Sequence, residues 1–240
     1  MINLYNLITI AIIPVILFCA YIFIRDKYEK EPLIYLTLGY VFGVVFSVVI
    51  IKTASVMYSF KPADIILGNF YNAFVTSAFV EEVFKFLVLY FLFWNNGTFN
   101  EWYDGIVYAV FISLGFATVE NILYVFNPTF GGVETGFYRG LFSIPGHGLF
   151  GVTMGYYLGL GKFIRLIDEK KQKKNYILKS LFIPFILHGF YNLILSMSFK
   201  YYFVIFIVYN LLLWKSCLKK IKAHVRNSPF KTRKAQENNI

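Results

Sequence analysis

Residues 66–93 read ILGNFYNAFVTSAFVEEVFKFLVLYFLF, a run whose only charged side chains are Glu81, Glu82 and Lys85. At about 1.5 Å rise per residue, a helix of this length crosses the roughly 30 Å hydrocarbon core of a bilayer. Lipid offers no hydrogen bonds to backbone amides, so an apolar run at that depth must satisfy its own as a helix. Six further runs have the same character: Asn3–Ile24, Leu33–Ile51, Gly105–Phe126, Tyr138–Ile164, Tyr176–Ser198 and the shorter Tyr201–Trp214. The expected fold class is all-α, a polytopic membrane protein with seven transmembrane helices.

The composition excludes a soluble alternative. Residues of the apolar and aromatic class make up 58 % of 240 positions, charged residues only 15 %, and mean hydropathy is +0.60. A soluble core of this size cannot bury so much apolar surface. The net charge of +10 is concentrated in Arg25–Lys30, Lys162–Lys179 and Lys215–Lys234, beside the apolar runs. That is juxtamembrane charge, and no nucleic-acid partner is expected. With the N-terminus outside, the inner segments carry eighteen Lys and Arg, and the outer ones four: Lys52, Lys61, Arg139 and Lys200. This asymmetry places the N-terminus outside and the C-terminus inside. The first run has no basic residues before it and no small-residue cleavage site after it, so it reads as an uncleaved anchor. Cys19 and Cys217 sit in apolar segments and imply no disulfide framework. Residues 1–214 are expected to form one membrane-embedded domain. Residues 215–240 are expected to be a basic cytoplasmic tail, lying on anionic headgroups or disordered.

Ionisable groups inside a span need a partner or a wet cavity. This chain holds Glu81, Glu82 and Lys85 in its third run, Glu120 beside Asn121 in the fourth, His147 in the fifth, and His188 with Asn192 in the sixth. Lys85 is four residues from Glu81 and three from Glu82, so it can neutralise one carboxylate while the other points elsewhere. His188 and Asn192 share a helix face. His147 shares its face with Gly151, Gly155 and Gly159, a row of small residues that lets another helix approach closely. Depth gives an independent check. Glu81 and Glu82 stand roughly 20 Å above Trp94, Glu120 about 24 Å above Asp104, His188 about 18 Å above Tyr176, and His147 about 13 Å below Tyr138. All four helices therefore bring their polar groups to the outer half of the core, which points to one shared cavity.

Such a cavity supports three kinds of work. A buried Glu can act as general base toward water, with His and Asn donors stabilising the oxyanion of an amide under attack. Two His and a Glu can instead hold a divalent metal, although the His-Glu-x-x-His helix of zincins is absent. Buried carboxylates also relay protons in transporters. No serine lies in a Gly-x-Ser-x-Gly setting, and no pair of spans carries matched aspartates. A proton-coupled transporter and a non-catalytic scaffold or immunity protein stay open as alternatives.

Taken together, Glu81-Glu82-x-x-Lys85, Asp104-Gly105 leading to Gly115-Phe116-x-x-x-Glu120-Asn121-x-x-Tyr124, then His147, then His188-x-x-x-Asn192 resemble the motifs of the PrsW family. The loop Asp26-Lys27-Tyr28-Glu29-Lys30-Glu31-Pro32 is similar as well, and the likeness runs from about residue 20 to 195. A more distant resemblance is to the CAAX-processing endopeptidase and bacteriocin-immunity superfamily, which usually has His where this chain has Glu120. The resemblance implies an intramembrane protease of a bacterial plasma membrane. It would make the first cut in a single-span anti-sigma factor during a regulated stress response. On that likeness Glu81 and Glu82 hold the water-activating base with Glu120 in support. His188 and Asn192 contact the substrate carbonyl, His147 completes the site, and Lys85 and Asn121 assist. A glutamic mechanism without cofactor is the expected type. The metal alternative would place a zinc-like ion on Glu81, Glu120, His147 and His188.

Overall fold

The computed structural model describes residues 4–164, 169–197 and 200–231. Among them there is no strand, and the helices follow the apolar runs: α1 (Leu4–Arg25), α2 (Leu33–Tyr58), α3 (Ile65–Tyr71), α4 (Val80–Phe93), α5 (Trp102–Val125), α6 (Val133–Tyr138), α7 (Ile144–Phe163), α8 (Glu169–Ser196) and α9 (Tyr202–Arg226). α3 joins α4 through a π-helical stretch at Asn72–Phe79, and α6 joins α7 through another at Arg139–Ser143. Among the described residues, five single helices are long and apolar enough to cross a membrane: α1, α2, α5, most of α8, and α9. The other two expected spans are these composite columns, 65–93 and 133–163. The expected ends Asn3 and Ser198, Arg165, and the tail beyond Lys231 lie outside the described residues.

α5 is the axis of the bundle. In its most apolar stretch 72 % of residues are buried, against 22 % in α1 and in α9. It packs on α7, α2 and α1. Lipid tails are as apolar as the helices, so helices associate in a membrane through close van der Waals fit. Glycine supplies that fit here. A Cβ on Gly155 would fall on the carbonyl of Gly105, and one on Gly43 would fall on the carbonyl of Ile112. The Gly151–Gly155–Gly159 row thus receives α5. Large apolar side chains point the other way. Leu17, Val45, Phe91, Val204 and Leu211 are all exposed on the outside of the bundle, the surface that meets acyl chains.

At one end of the bundle the loop 26–32 is latched to the start of α5. Asp104 accepts from the backbone N–H of Asn100 at 2.8 Å and of Glu101 at 2.7 Å, closing a capping box. Asn100 donates to Glu29 at 3.1 Å, the N–H of Glu31 donates to Asp26 at 3.3 Å, and the Tyr108 hydroxyl donates to Glu31. Burial, and then the Glu101 carboxylate, push the Asp26 carboxyl up to about 7. Burial and the neighbouring Asp104 push Glu31 up to about 10. The resemblance-bearing loop motif is therefore a structural clasp at the opposite end from Glu120, about 24 Å along α5.

Trp214 does not end its helix. α9 runs on to Arg226 and buries Leu213, Cys217, Ile221 and His224 against the bundle. The spacing of these four is helical, so an apolar stripe continues through the basic stretch while Lys215, Lys219 and Lys222 take the other face. Of the two expectations for this stretch, disorder is corrected for residues 215–226, which are helical. α8 likewise begins seven residues before the expected Tyr176, because the basic stretch 169–175 is helical too. Cys19 and Cys217 are both free thiols.

Candidate active site

Glu81 and Glu82 occupy the first turn of α4, directly after the first π-helical stretch, and His147 sits in the first turn of α7, directly after the second. A π stretch inserts extra residues and turns everything beyond it relative to a regular helix, a device common at functional sites. The two stretches thereby aim the carboxylates and the imidazole at one another. α8 brings His188 to the same point.

Lys85 is the hub. Its Nζ donates to Glu82 Oε1 at 2.9 Å, Glu81 Oε2 at 3.1 Å and His147 Nδ1 at 3.2 Å. An ammonium has three N–H groups and no lone pair, so all three donors are used and His147 Nδ1 must be the acceptor. The His147 proton then sits on Nε2, which donates to Glu120 Oε2 at 2.9 Å. Arg139 Nη2 donates to the same Glu120 oxygen at 2.7 Å, and its Nε donates to Asn121 Oδ1 at 2.9 Å. The guanidinium also lies 3.9 Å over the Tyr124 ring. On the other side, His188 Nδ1 is 2.9 Å from Glu82 Oε1, and its ring stacks on Phe150 with centroids 4.7 Å apart.

The two adjacent carboxylates differ in setting. Glu82 is wholly buried and holds Lys85 and His188. Glu81 lines a cavity of about 670 Å³, together with Glu120, Tyr124, Arg139, His188 and Asn192. That cavity also reaches Asn69, Tyr138 and Ser196, so it opens at the end of the bundle remote from the clasp. Asn192, half-buried on the wall, has no hydrogen-bond partner among the described residues.

The expected site residues therefore converge, but in two layers. Glu81, Glu82, His147 and His188 each offer one ligand atom, all within 4.8 Å of one another, and all four are buried. Glu82 Oε2 is buried without a hydrogen-bond partner among the described residues. Two carboxylates and two imidazoles with a spare oxygen suit a zinc-like divalent ion. The donor set differs from the one expected from sequence, since Glu82 is in it and Glu120 is not. Arg139 holds Glu120 behind His147, so its carboxylate orients an imidazole in the manner common beside metal-binding histidines. Asn121 is further back, tying Arg139 to α1 by donating to the Ala11 carbonyl at 2.8 Å. Arg139 itself escaped sequence reasoning, which counted it only as an outer-flank charge.

A family model described as PrsW family intramembrane metalloprotease matches residues 31–214. The chain is 34 % identical over 224 residues to Protease PrsW of Clostridioides difficile (strain 630), covering 93 % of each chain. It is 36 % identical over 221 residues to Protease PrsW of Geobacillus kaustophilus (strain HTA426), covering 91 % of this chain and 92 % of that one. Protease PrsW of Bacillus subtilis (strain 168) is 34 % identical over 221 residues, 91 % of this chain and 95 % of the relative. No solved structure matches.

Proposed function

The chain belongs to the PrsW family of intramembrane proteases, and from that premise we propose that it cuts a single-span membrane protein of the anti-sigma-factor type. It is a multi-pass protein of a bacterial membrane. In this reading seven helical columns span the bilayer, with the N-terminus outside and the basic end inside. The cavity then opens toward the outer face, where a first regulatory cut would be made. The observation that carries the reading is the buried four-donor cluster with one carboxylate, Glu81, facing a cavity large enough for an unwound peptide segment.

Glu82, His147 and His188 would hold a divalent metal, and Glu81 would be left facing the substrate. A metal ion bound there supplies an acidified water and an electrophile for the carbonyl oxygen. Glu81 takes the proton of the attacking water and later passes it to the leaving amine, the general base and acid of an amide hydrolysis. The Asn192 amide donates to the carbonyl oxygen as it gains charge. Glu120 and Arg139 hold His147 in one tautomer throughout.

The test compares new N-termini on membrane and secreted proteins in cells carrying wild type or Glu81→Gln, under envelope stress. Fragments that begin near the outer leaflet of single-span proteins, and only with wild type, are the expected result. Equal fragment sets with equal expression of both proteins overturn the proposal. pH-driven solute uptake by the wild type alone would then favour a transporter.

A further inference from the structure

Lys85 occupies the position that a metal ion would need. Its ammonium is buried, lies 4.5 Å over the Phe116 ring, and draws on Glu81, Glu82 and His147 at 2.9–3.2 Å. Those are three of the four residues whose ligand atoms cluster within 4.8 Å. The carboxylate oxygens have lone pairs to spare, but an imidazole nitrogen has one. His147 Nε2 is committed as a donor to Glu120, so the single lone pair on Nδ1 is the only one this ring can offer. It can accept from Lys85 or bind a metal, and not both. Two cations so close would also repel strongly in a dry interior.

We propose that the Lys85 ammonium and a divalent cation are alternative occupants of the nest formed by Glu81, Glu82, His147 and His188, so that Lys85 sets the metal affinity of the site. Without metal, Lys85 neutralises two buried carboxylates that would otherwise be uncompensated. When metal enters, the ammonium leaves the nest on its flexible four-carbon stem. The proposal rests on the metal reading of the cluster, but its test needs no substrate. A protein that binds zinc as described and cuts nothing would refute proteolysis and leave the competition standing.

The experiment uses the full chain, purified in detergent, with zinc as the probe. Zinc affinity is read by competition with a chromophoric chelator, and thermal stability is read with and without zinc. Lys85→Met is expected to bind zinc at least about tenfold tighter than wild type, since no ammonium competes for the donors. It is expected to melt below wild type without zinc and to recover when zinc is added. A merely structural ion pair would give the lower melting point without the recovery. Zinc affinity in Lys85→Met equal to or weaker than wild type, or stability that zinc does not restore, overturns the proposal. Should Lys85→Met fail to accumulate, Lys85→Arg keeps the cation in place and is expected to bind zinc no tighter than wild type. Tighter binding by Lys85→Arg overturns it as well.

Discussion

Replacing Glu120 by Gln tests the layered arrangement most sharply, because the change is nearly isosteric and removes only charge and one acceptor. Glu120 Oε2 accepts from Arg139 at 2.7 Å and from His147 Nε2 at 2.9 Å. Both bonds fall on one oxygen, and an amide oxygen also carries two lone pairs, so Gln can keep both partners. What it removes is the negative charge: the His147 and Arg139 bonds become bonds to a neutral acceptor, and the Arg139 guanidinium loses its ion pair. A hydrogen bond to a charged group is worth about 1.5–3 kcal/mol, and most of that margin is lost here. The Glu120 side chain is 20 % exposed, so water takes up part of the loss and about 2 kcal/mol is a fair figure. At 1.36 kcal/mol per tenfold in rate, that is about 30-fold slower cleavage, within the range of about 10–100-fold seen when the carboxylate behind a metal-binding histidine is removed. The assay is the initial cleavage rate of a single-span reporter in liposomes, with the melting temperature measured in parallel. Arg139→Gln serves as the companion, and is expected to slow cleavage less because Glu120 still holds His147. A folded Glu120→Gln protein cutting within about twofold of wild type would refute the orienting role, because a carboxylate that fixes a ligating histidine is worth more than that.

Glu81→Gln and Glu82→Gln are expected to part company: the first abolishes cleavage with little change in melting temperature, whereas the second also destabilises the fold. Glu82 is wholly buried between Lys85 and His188, and breaking a buried pair is worth about 3–5 kcal/mol. Equal melting temperatures for the two variants would show that their settings do not differ. Gly155→Ala places a methyl on the Gly105 carbonyl and is expected to destabilise the α5–α7 crossing by about 1–3 kcal/mol, read as a lower thermal midpoint in detergent. Asp26 has an ordinary value of 3.8 and a folded value pushed up to about 7. A raised acid contributes its stability fully below the unfolded value and loses it as pH rises through the folded one. Melting temperature should therefore fall between about pH 4 and 7 through Asp26, and Asp26→Asn should flatten that part of the profile; an unchanged slope would remove Asp26 from the account.

Much of this protein was legible in the chain alone, for a physical reason. A bilayer leaves the backbone one choice, so runs such as Leu33–Ile51 and Gly105–Phe126 are helices wherever they pack, and the i,i+4 rule already pairs Glu81 with Lys85. The rarity of ionisable groups at membrane depth singled out Glu81, Glu82, Glu120, His147 and His188 before any contact was known. What the chain could not state was which of them touch across helices, since that depends on how rigid rods are rotated about their axes. The π stretches at Asn72–Phe79 and Arg139–Ser143 change that rotation just before the two segments that matter most, and no periodicity count anticipates them. Hence packing, and not spacing, sets the layer in which Arg139 holds Glu120 behind His147, and carries the apolar stripe of α9 on through Cys217 and Ile221 into the bundle. Local sequence decides what is helical and what is out of place in lipid. The close packing of whole helices, set by contacts far apart in the chain such as Gly105 against Gly155, decides which of those residues meet.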